Sequence, residues 1–322
     1  MNMNILITGA FGYLGGRIAK LLAQDPNVVV HLGTRNGDRR APEWVGGGKV
    51  VAMDIASPGS LDDACGGTNA IVHLAAVNEI ESAADPARAM EINGTGTLRL
   101  LEAAERNGVG RFIYLSTIHI YGSPLAGAIT EGLLPRPSHP YAITHRVAED
   151  FVLAAHDKRK MTGIVLRLSN GFGAPASPDM DRWTLVVNDL CRQAVTTERL
   201  VLKTPGLQKR DFITLEDTAR AVAHMASLPP DRCGDGLFNL GGEYTVSILD
   251  MATLIAKRCE SVLGFVPPID RPEPVAEEEA DDLDYRIDKI KDTGFSLTGN
   301  AEDEIDATLR FCALYLGNTE KS

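Results

Sequence analysis

The segment Thr8-Gly9-Ala10-Phe11-Gly12-Tyr13-Leu14-Gly15 sets Gly9, Gly12 and Gly15 between a short apolar run and a stretch of helical period. Glycine there lets a pyrophosphate approach backbone N–H groups and the positive end of the following helix, and lets that helix pack closely on a sheet. A flexible turn would also tolerate glycines, but their position at the first strand-to-helix junction points to dinucleotide binding. A second informative position lies at the end of the next apolar run. An acid there would accept hydrogen bonds from a ribose 2′-hydroxyl, whereas a cation would accommodate a 2′-phosphate. Gly33-Thr34-Arg35 supplies the cation. NADP is therefore favoured, and NAD stays possible if Arg35 is solvated or stacks on adenine. The histidines show no ligand spacing such as HExxH and the five cysteines no CxxC pair, so no metal and no disulfide framework is expected.

These residues need elements to hold them. Apolar runs at 5–8, 28–32, 49–53, 70–74, 111–116 and 163–168 read as buried strands, and 14–24, 60–64, 87–107 and 141–156 read as helices. Parallel strands need a long crossover between them, so this alternation predicts an α/β fold, a doubly wound parallel Rossmann sheet. Beyond residue 170 the pattern changes to a loop at 171–182, a helix at 183–195 and a short strand at 200–203. Helices follow at 217–228, 247–259 and 302–316, the first able to rejoin the opening lobe. The expected division is a dinucleotide-binding domain of residues 1–169 and 212–238, with a smaller, partly discontinuous substrate lobe of 170–211 and 239–322. The acidic run Glu277-Glu278-Glu279-Ala280-Asp281-Asp282 reads as a solvated loop.

Composition excludes several classes. With 44% hydrophobic and 23% charged residues the 322-residue chain is an ordinary globular protein of about two lobes. A formal charge of −11 opposes nonspecific attraction to nucleic acid, and no apolar stretch approaches the roughly 20 residues that span a bilayer. No nucleic-acid partner and no membrane partner are expected. The start of the chain lacks a secretory pattern and the cysteines are unpaired by spacing, so a cytoplasmic location is expected.

Four further motifs accompany the glycine loop: His73-Leu74-Ala75-Ala76, Ser116-Thr117-Ile118-His119-Ile120-Tyr121-Gly122, Pro140-Tyr141-Ala142-Ile143-Thr144 and Arg210-Asp211-Phe212-Ile213. Together with Asn239-Leu240-Gly241-Gly242 and Asp288-Lys289 they resemble the extended short-chain dehydrogenase/reductases, the NAD-dependent epimerase/dehydratases of nucleotide sugars. The resemblance covers nearly the whole chain. It implies cofactor contacts from Phe11, Tyr13 and Leu14 in the loop, from Asp54 and Ile55 after the third strand, and from Leu74, Ala75 and Ala76 after the fourth. Asp54 would meet the adenine amine, with a helix-capping role as the alternative.

For catalysis the resemblance carries Thr117 to the hydroxyl that binds the substrate oxygen and Tyr141 to the acid/base position. A phenol with an ordinary pKa of about 10 needs electrostatic help to act as a base near neutrality. Relatives place a lysine one helical turn on, where this chain has His145. His145 is expected to reach the nicotinamide ribose and to supply charge only when protonated, giving sensitivity between about pH 5.5 and 8. The substitution leaves open a working but retuned site, an altered sequence, or a noncatalytic dinucleotide sensor or scaffold. Neighbouring Arg146 is expected on the surface. Ile118 and His119 stand where the 4,6-dehydratases carry an Asp-Glu pair, which demotes dehydration in favour of epimerisation or ketosugar reduction. His119 reads either as a base toward a ketosugar or as a packing residue.

The implied substrate is a nucleotide-diphosphate sugar. Arg210 and Asn170 are expected at its diphosphate, with Asn78 and Thr117 bordering the sugar, and a salt bridge of Arg210 to Asp211 is the alternative. Relatives commonly dimerise through the helices read at 87–107 and 141–156. Leu98, Leu101, Val147 and Phe151 there suggest a homodimer.

Overall fold

The computed structural model describes residues 2–180, 182–274 and 282–317. Residues Glu277 to Asp281 of the acidic run lie outside them. Seven parallel strands form the central sheet in the spatial order Leu237–Leu240, Thr162–Leu168, Arg111–Thr117, Ala70–His73, Met3–Thr8, Val28–Thr34, Val50–Ala52. Strand residues alternate between two apolar layers because successive side chains point to opposite faces. Ile5, Ile7, Val72, Ile113 and Leu115 enter one layer, and Leu6, Ile71, Phe112 and Tyr114 the other. The chain winds outward from Met3–Thr8 to Val50–Ala52, then returns to the opposite side of Met3–Thr8 with Ala70–His73. That reversal opens a crevice beyond the carboxyl ends of those two strands, where α/β sheets bind ligands.

The expected helices are present with shifted ends, as at Tyr13–Leu22, Pro58–Cys65 and Pro140–Asp157. The helix read at 87–107 is instead three pieces: Pro86–Ala89, a π-helical turn at Met90–Thr95 and Gly96–Arg106. Buried polar groups accompany the widened turn. Asn93 accepts from Val77 N at 2.9 Å and donates to Thr144 Oγ1 at 3.0 Å, while Thr97 Oγ1 donates to the Asn93 carbonyl at 2.6 Å. Leu101, proposed for a dimer face, is only 4% exposed and belongs to the core; Leu98, Val147 and Phe151 stay partly uncovered.

Two domain boundaries are corrected. Asn239 and Leu240 pair with Arg167 and Leu168 as part of the seventh strand, so the division after 238 cuts a strand of the central sheet. Asn239 interrupts the apolar run of Leu-Phe-Asn-Leu, and its partners, the Ile129 and Arg286 carbonyls, are distant in the chain, which hides the strand in the sequence. Leu283, Tyr285, Ile287, Ile290 and Phe295 pack into the first-lobe core rather than the substrate lobe, and Leu283–Tyr285 pairs with Gly127–Ile129. The second lobe proper surrounds Phe172, Phe212 and the mutually packed helices Val186–Thr196, Ile248–Leu263 and Ala301–Tyr315. Leu215–Ser227 returns to pack on Tyr13–Leu22, as its sequence suggested.

Candidate active site

A cleft of about 830 Å³ lies between the lobes at the crevice of the sheet, with Gly9, Gly12, Thr117, Tyr141, His145 and Arg210 in its walls. Gly9 adopts φ +66°, a left-handed conformation that favours glycine, and its carbonyl accepts from Gly12 N at 2.8 Å. A Cβ on Gly15 would lie 2.2 Å from that carbonyl oxygen and 2.8 Å from Ala10 Cα. The loop's own turn thus demands glycine at position 15. The helix Tyr13–Leu22 begins with Gly12 as N-cap and no side chain capping it. Its first N–H groups are left for an anionic ligand, so the loop fits the pyrophosphate of a dinucleotide. Thr8 braces the far wall: its Oγ1 accepts from Leu74 N and Ala75 N, each at 3.1 Å, and lies 2.6 Å from His73 Nδ1.

The other expected cofactor residues divide. Phe11, Leu14, Leu74 and Ala76 line the cleft, and the Phe11 ring carries the Arg39 guanidinium 4.2 Å from its centroid. Tyr13 also borders the cleft, with its hydroxyl committed to the second lobe by donating to the Gly173 carbonyl at 2.9 Å. Arg35, Asp54 and Ile55 do not line the cleft. Arg35 is exposed; Asp54 Oδ1 accepts from Ala56 N at 3.0 Å, a turn-closing role; Ile55 is 8% exposed within the core, leaving only its main chain for a ligand.

Tyr141 opens the helix Pro140–Asp157, where His139 Nδ1 caps by accepting from Tyr141 N at 3.2 Å. One turn on, the His145 ring centroid lies 4.3 Å from that of Tyr141. Thr117 ends the strand Arg111–Thr117, and its Oγ1 accepts from His119 N at 3.2 Å, leaving its own proton to donate. Burial and the nearby Glu79 carboxylate hold the Tyr141 phenol above its ordinary value, and the Arg182 guanidinium works against them. Glu79 and Arg182, both in the cleft wall, form an ion pair at 3.3 Å across the two lobes. Sequence reasoning did not find either residue, because loop charges far apart in the chain carry no local signal. Ser116 was likewise missed: its buried Oγ has no hydrogen-bond partner among the described residues, and it lines the cleft.

His145 differs from its expectation. It is 3% exposed, its Nδ1 lies 2.6 Å from the Tyr114 hydroxyl, and burial first of all pushes its pKa down to about 4 despite the opposing Glu79. The charge expected between pH 5.5 and 8 is therefore absent, and His145 is neutral near pH 7. A folded-state value below the ordinary 6.5 means the unfolded chain binds the extra proton between them. The His145 contribution to stability is complete above about pH 6.5 and is lost as pH falls toward 4; buried His73, pushed to about 3, acts in the same sense. We expect histidine resonances to show no His145 titration between pH 5.5 and 8. A midpoint in that window would refute the neutral assignment.

On the substrate side, Arg210 lines the cleft half-buried and makes no ion pair among the described residues. Asp211 is engaged elsewhere, accepting from Gly242 N at 2.9 Å and Tyr244 N at 3.2 Å. Asn170 Nδ2 donates to the Asp211 carbonyl at 2.8 Å, which leaves its amide oxygen free to accept. Asn78 is partly committed, since it caps the helix Glu79–Ala84 in a reciprocal capping box with Glu81. His119 opens toward the cleft rather than packing at the strand end. Arg146 pairs with Asp150 at 2.7 Å and Glu149 at 3.4 Å. Among the described residues no group of three His, Cys, Asp or Glu side chains is arranged to hold a metal, and no helix is long and apolar enough to cross a membrane.

Known proteins share this fold and family. The chain is 28% identical over 310 residues to dTDP-glucose 4,6-dehydratase of Streptomyces niveus, spanning 91% of this chain and 88% of that protein. It is 31% identical over 186 residues to UDP-glucose 4-epimerase of Rhizobium meliloti, 56% of each chain. In fold it resembles the Thermus thermophilus UDP-glucose 4-epimerase in complex with NAD, with TM-score 0.78 and 23% identity over 96% of this chain and 99% of that one. It likewise resembles the Bacillus cereus UDP-glucuronic acid 4-epimerase in complex with NAD, with TM-score 0.80 and 24% identity over 99% of both. The family model of NAD dependent epimerases and dehydratases matches residues 5–241, and the chain belongs to that family.

Proposed function

We propose that this protein is an epimerase or ketosugar reductase of a nucleotide-diphosphate sugar, with Thr117, Tyr141 and His145 as its reacting site. The observation that carries this reading is the meeting of those three side chains with the glycine loop and Arg210 in one interlobe cleft. A nicotinamide dinucleotide, when bound, supplies the hydride acceptor or donor. Thr117 donates to the sugar oxygen, and Tyr141 as phenolate takes that oxygen's proton while the carbonyl forms. Arg182 favours the phenolate; Glu79 and burial oppose it. Arg210 offers a fork of donors to the diphosphate, with Asn170 beside it. Dehydration needs acid and base groups after Thr117, and this chain has buried Ile118 and cleft-facing His119 there.

The competing reading, a noncatalytic dinucleotide sensor, draws on the neutral His145 at the helper position. Product chromatography with uridine-, thymidine-, guanosine- and cytidine-diphosphate sugars and both dinucleotides separates the two. Conversion of any one sugar supports the enzyme; tight dinucleotide binding without sugar binding supports the sensor.

For the cofactor we propose a preference for NADP, with NAD as the alternative. Arg35, exposed at the end of Val28–Thr34, is followed by Arg39 and Arg40 on the same loop. Charge-assisted phosphate contacts contribute on the order of 1.5 to 3 kcal/mol, so NADP should bind about ten- to a hundredfold more tightly than NAD. Arg35→Asp should erase or reverse that ratio in calorimetry. Equal affinities in the parent protein would retire the NADP assignment. We also propose a homodimer through the helices Gly96–Arg106 and Pro140–Asp157 and a cytoplasmic location; a monomer in light scattering at micromolar concentration would sink the dimer.

A further inference from the structure

His145 has two ring nitrogens in different circumstances. Nδ1 faces the Tyr114 hydroxyl at 2.6 Å, inside the apolar layer beneath the sheet. Nε2, on the other side of the ring, is buried without a hydrogen-bond partner among the described residues, and the ring itself lines the cleft beside Tyr141. We infer that Tyr114 is a positioning residue: its hydroxyl donates to Nδ1 and so holds His145 in the tautomer that presents Nε2–H to the cleft as a neutral donor.

Counting protons leads there. Tyr114 is 2% exposed, and among the described residues its hydroxyl has no acceptor other than Nδ1. If the imidazole carried its proton on Nδ1 and gave it to the phenol oxygen, the phenol's own proton would be buried without an acceptor, an unsatisfied donor that folding disfavours. The opposite arrangement satisfies the phenol and leaves only Nε2–H unpaired, on the side where a ligand can accept. Burial keeps both the phenol and the imidazole neutral, which agrees. A neutral N–H suits a hydroxyl oxygen, such as one on the ribose of a bound dinucleotide. This part rests on the proposed function. The chain then keeps the hydrogen bond of the usual lysine while giving up its charge, and the partner that makes this work is a strand tyrosine thirty-one residues earlier.

The test uses full-length protein labelled with ¹⁵N-histidine, with His145→Gln assigning the signal. Long-range correlation spectra of the parent at neutral pH should show His145 with its proton on Nε2. Tyr114→Phe should mix the tautomers and weaken binding of NAD about two- to tenfold, the range of one neutral hydrogen bond. A glutamine side chain carries an amide donor and has no tautomers. Whatever affinity His145→Gln itself retains, a second change in that background, Tyr114→Phe, should therefore cause no further loss. A parent proton on Nδ1, a doubly protonated ring, or an undiminished Tyr114→Phe loss in the His145→Gln background would overturn the inference. The parent spectrum decides even if Tyr114→Phe fails to fold. Should neither NADP nor NAD bind while the Nε2–H tautomer is seen, the proposed function fails and the tautomer assignment stands.

Discussion

Tyr141→Phe is expected to lower turnover by about 10²- to 10⁴-fold, the usual contribution of a positioned acid/base group, while leaving dinucleotide affinity within a few fold of the parent. The change removes one hydroxyl and keeps the ring that lies tilted beside His145. It also keeps the Tyr141 backbone N–H that His139 caps, so the helix start is preserved. Turnover on the converting nucleotide sugar, paired with calorimetry of the same preparation, reads both effects. Retained turnover would mean that another group moves the proton, and cleft-facing His119 would be the next candidate.

Gly15→Ala should be the most damaging single methyl in the cofactor loop. A Cβ there would sit 2.2 Å from the Gly9 carbonyl oxygen and 2.9 Å from its carbonyl carbon, contacts with backbone that no rotamer change relieves. Overpacking of this kind costs about 1 to 3 kcal/mol and occasionally more. Relief must come from moving Gly9, whose carbonyl accepts from Gly12 N and whose own Cβ position abuts Ala75 N. The loop that exposes the helix N-terminus would then shift, and dinucleotide affinity should fall at least tenfold together with a lower urea midpoint. Gly59→Ala is the control, because nothing lies within 4 Å of its added Cβ. An unchanged affinity in Gly15→Ala would show that the loop does not hold the pyrophosphate.

Local chemistry was legible in the sequence, and chemistry set by distant partners was not. The glycine loop announces itself because strand, turn and helix are contiguous, and six runs of the central sheet carry their own apolar pattern. The seventh strand, the four residues that follow Gly236, is interrupted by Asn239, whose carbonyl partners on Ile129 and Arg286 lie far along the chain. Asn78 reads as a polar loop residue until its capping box is seen. His145 is the sharpest case. From the sequence its ordinary pKa of about 6.5 is the natural expectation. Its Nδ1 partner, Tyr114, lies on a neighbouring strand, and the burial that drives the value to about 4 arises only when helix and sheet pack. Glu79 and Arg182 meet through the closure of two lobes, so neither one's neighbours in the chain hint at the ion pair beside Tyr141.

If a hydride leaves a nucleotide-linked sugar in this cleft, an isotope on the oxidised carbon must travel with it. The protein would be incubated with NAD or NADP and with nucleotide-diphosphate hexoses deuterated at C4, the position named for the epimerases and dehydratases it resembles. Products and dinucleotide would then be separated and weighed by mass spectrometry. The expected product is either an epimer that keeps its deuterium with no net reduced dinucleotide, or a ketosugar whose deuterium has moved onto the dinucleotide, and neither forms with Tyr141→Phe. Recovery of every sugar unchanged from protein that binds the dinucleotide tightly would contradict it.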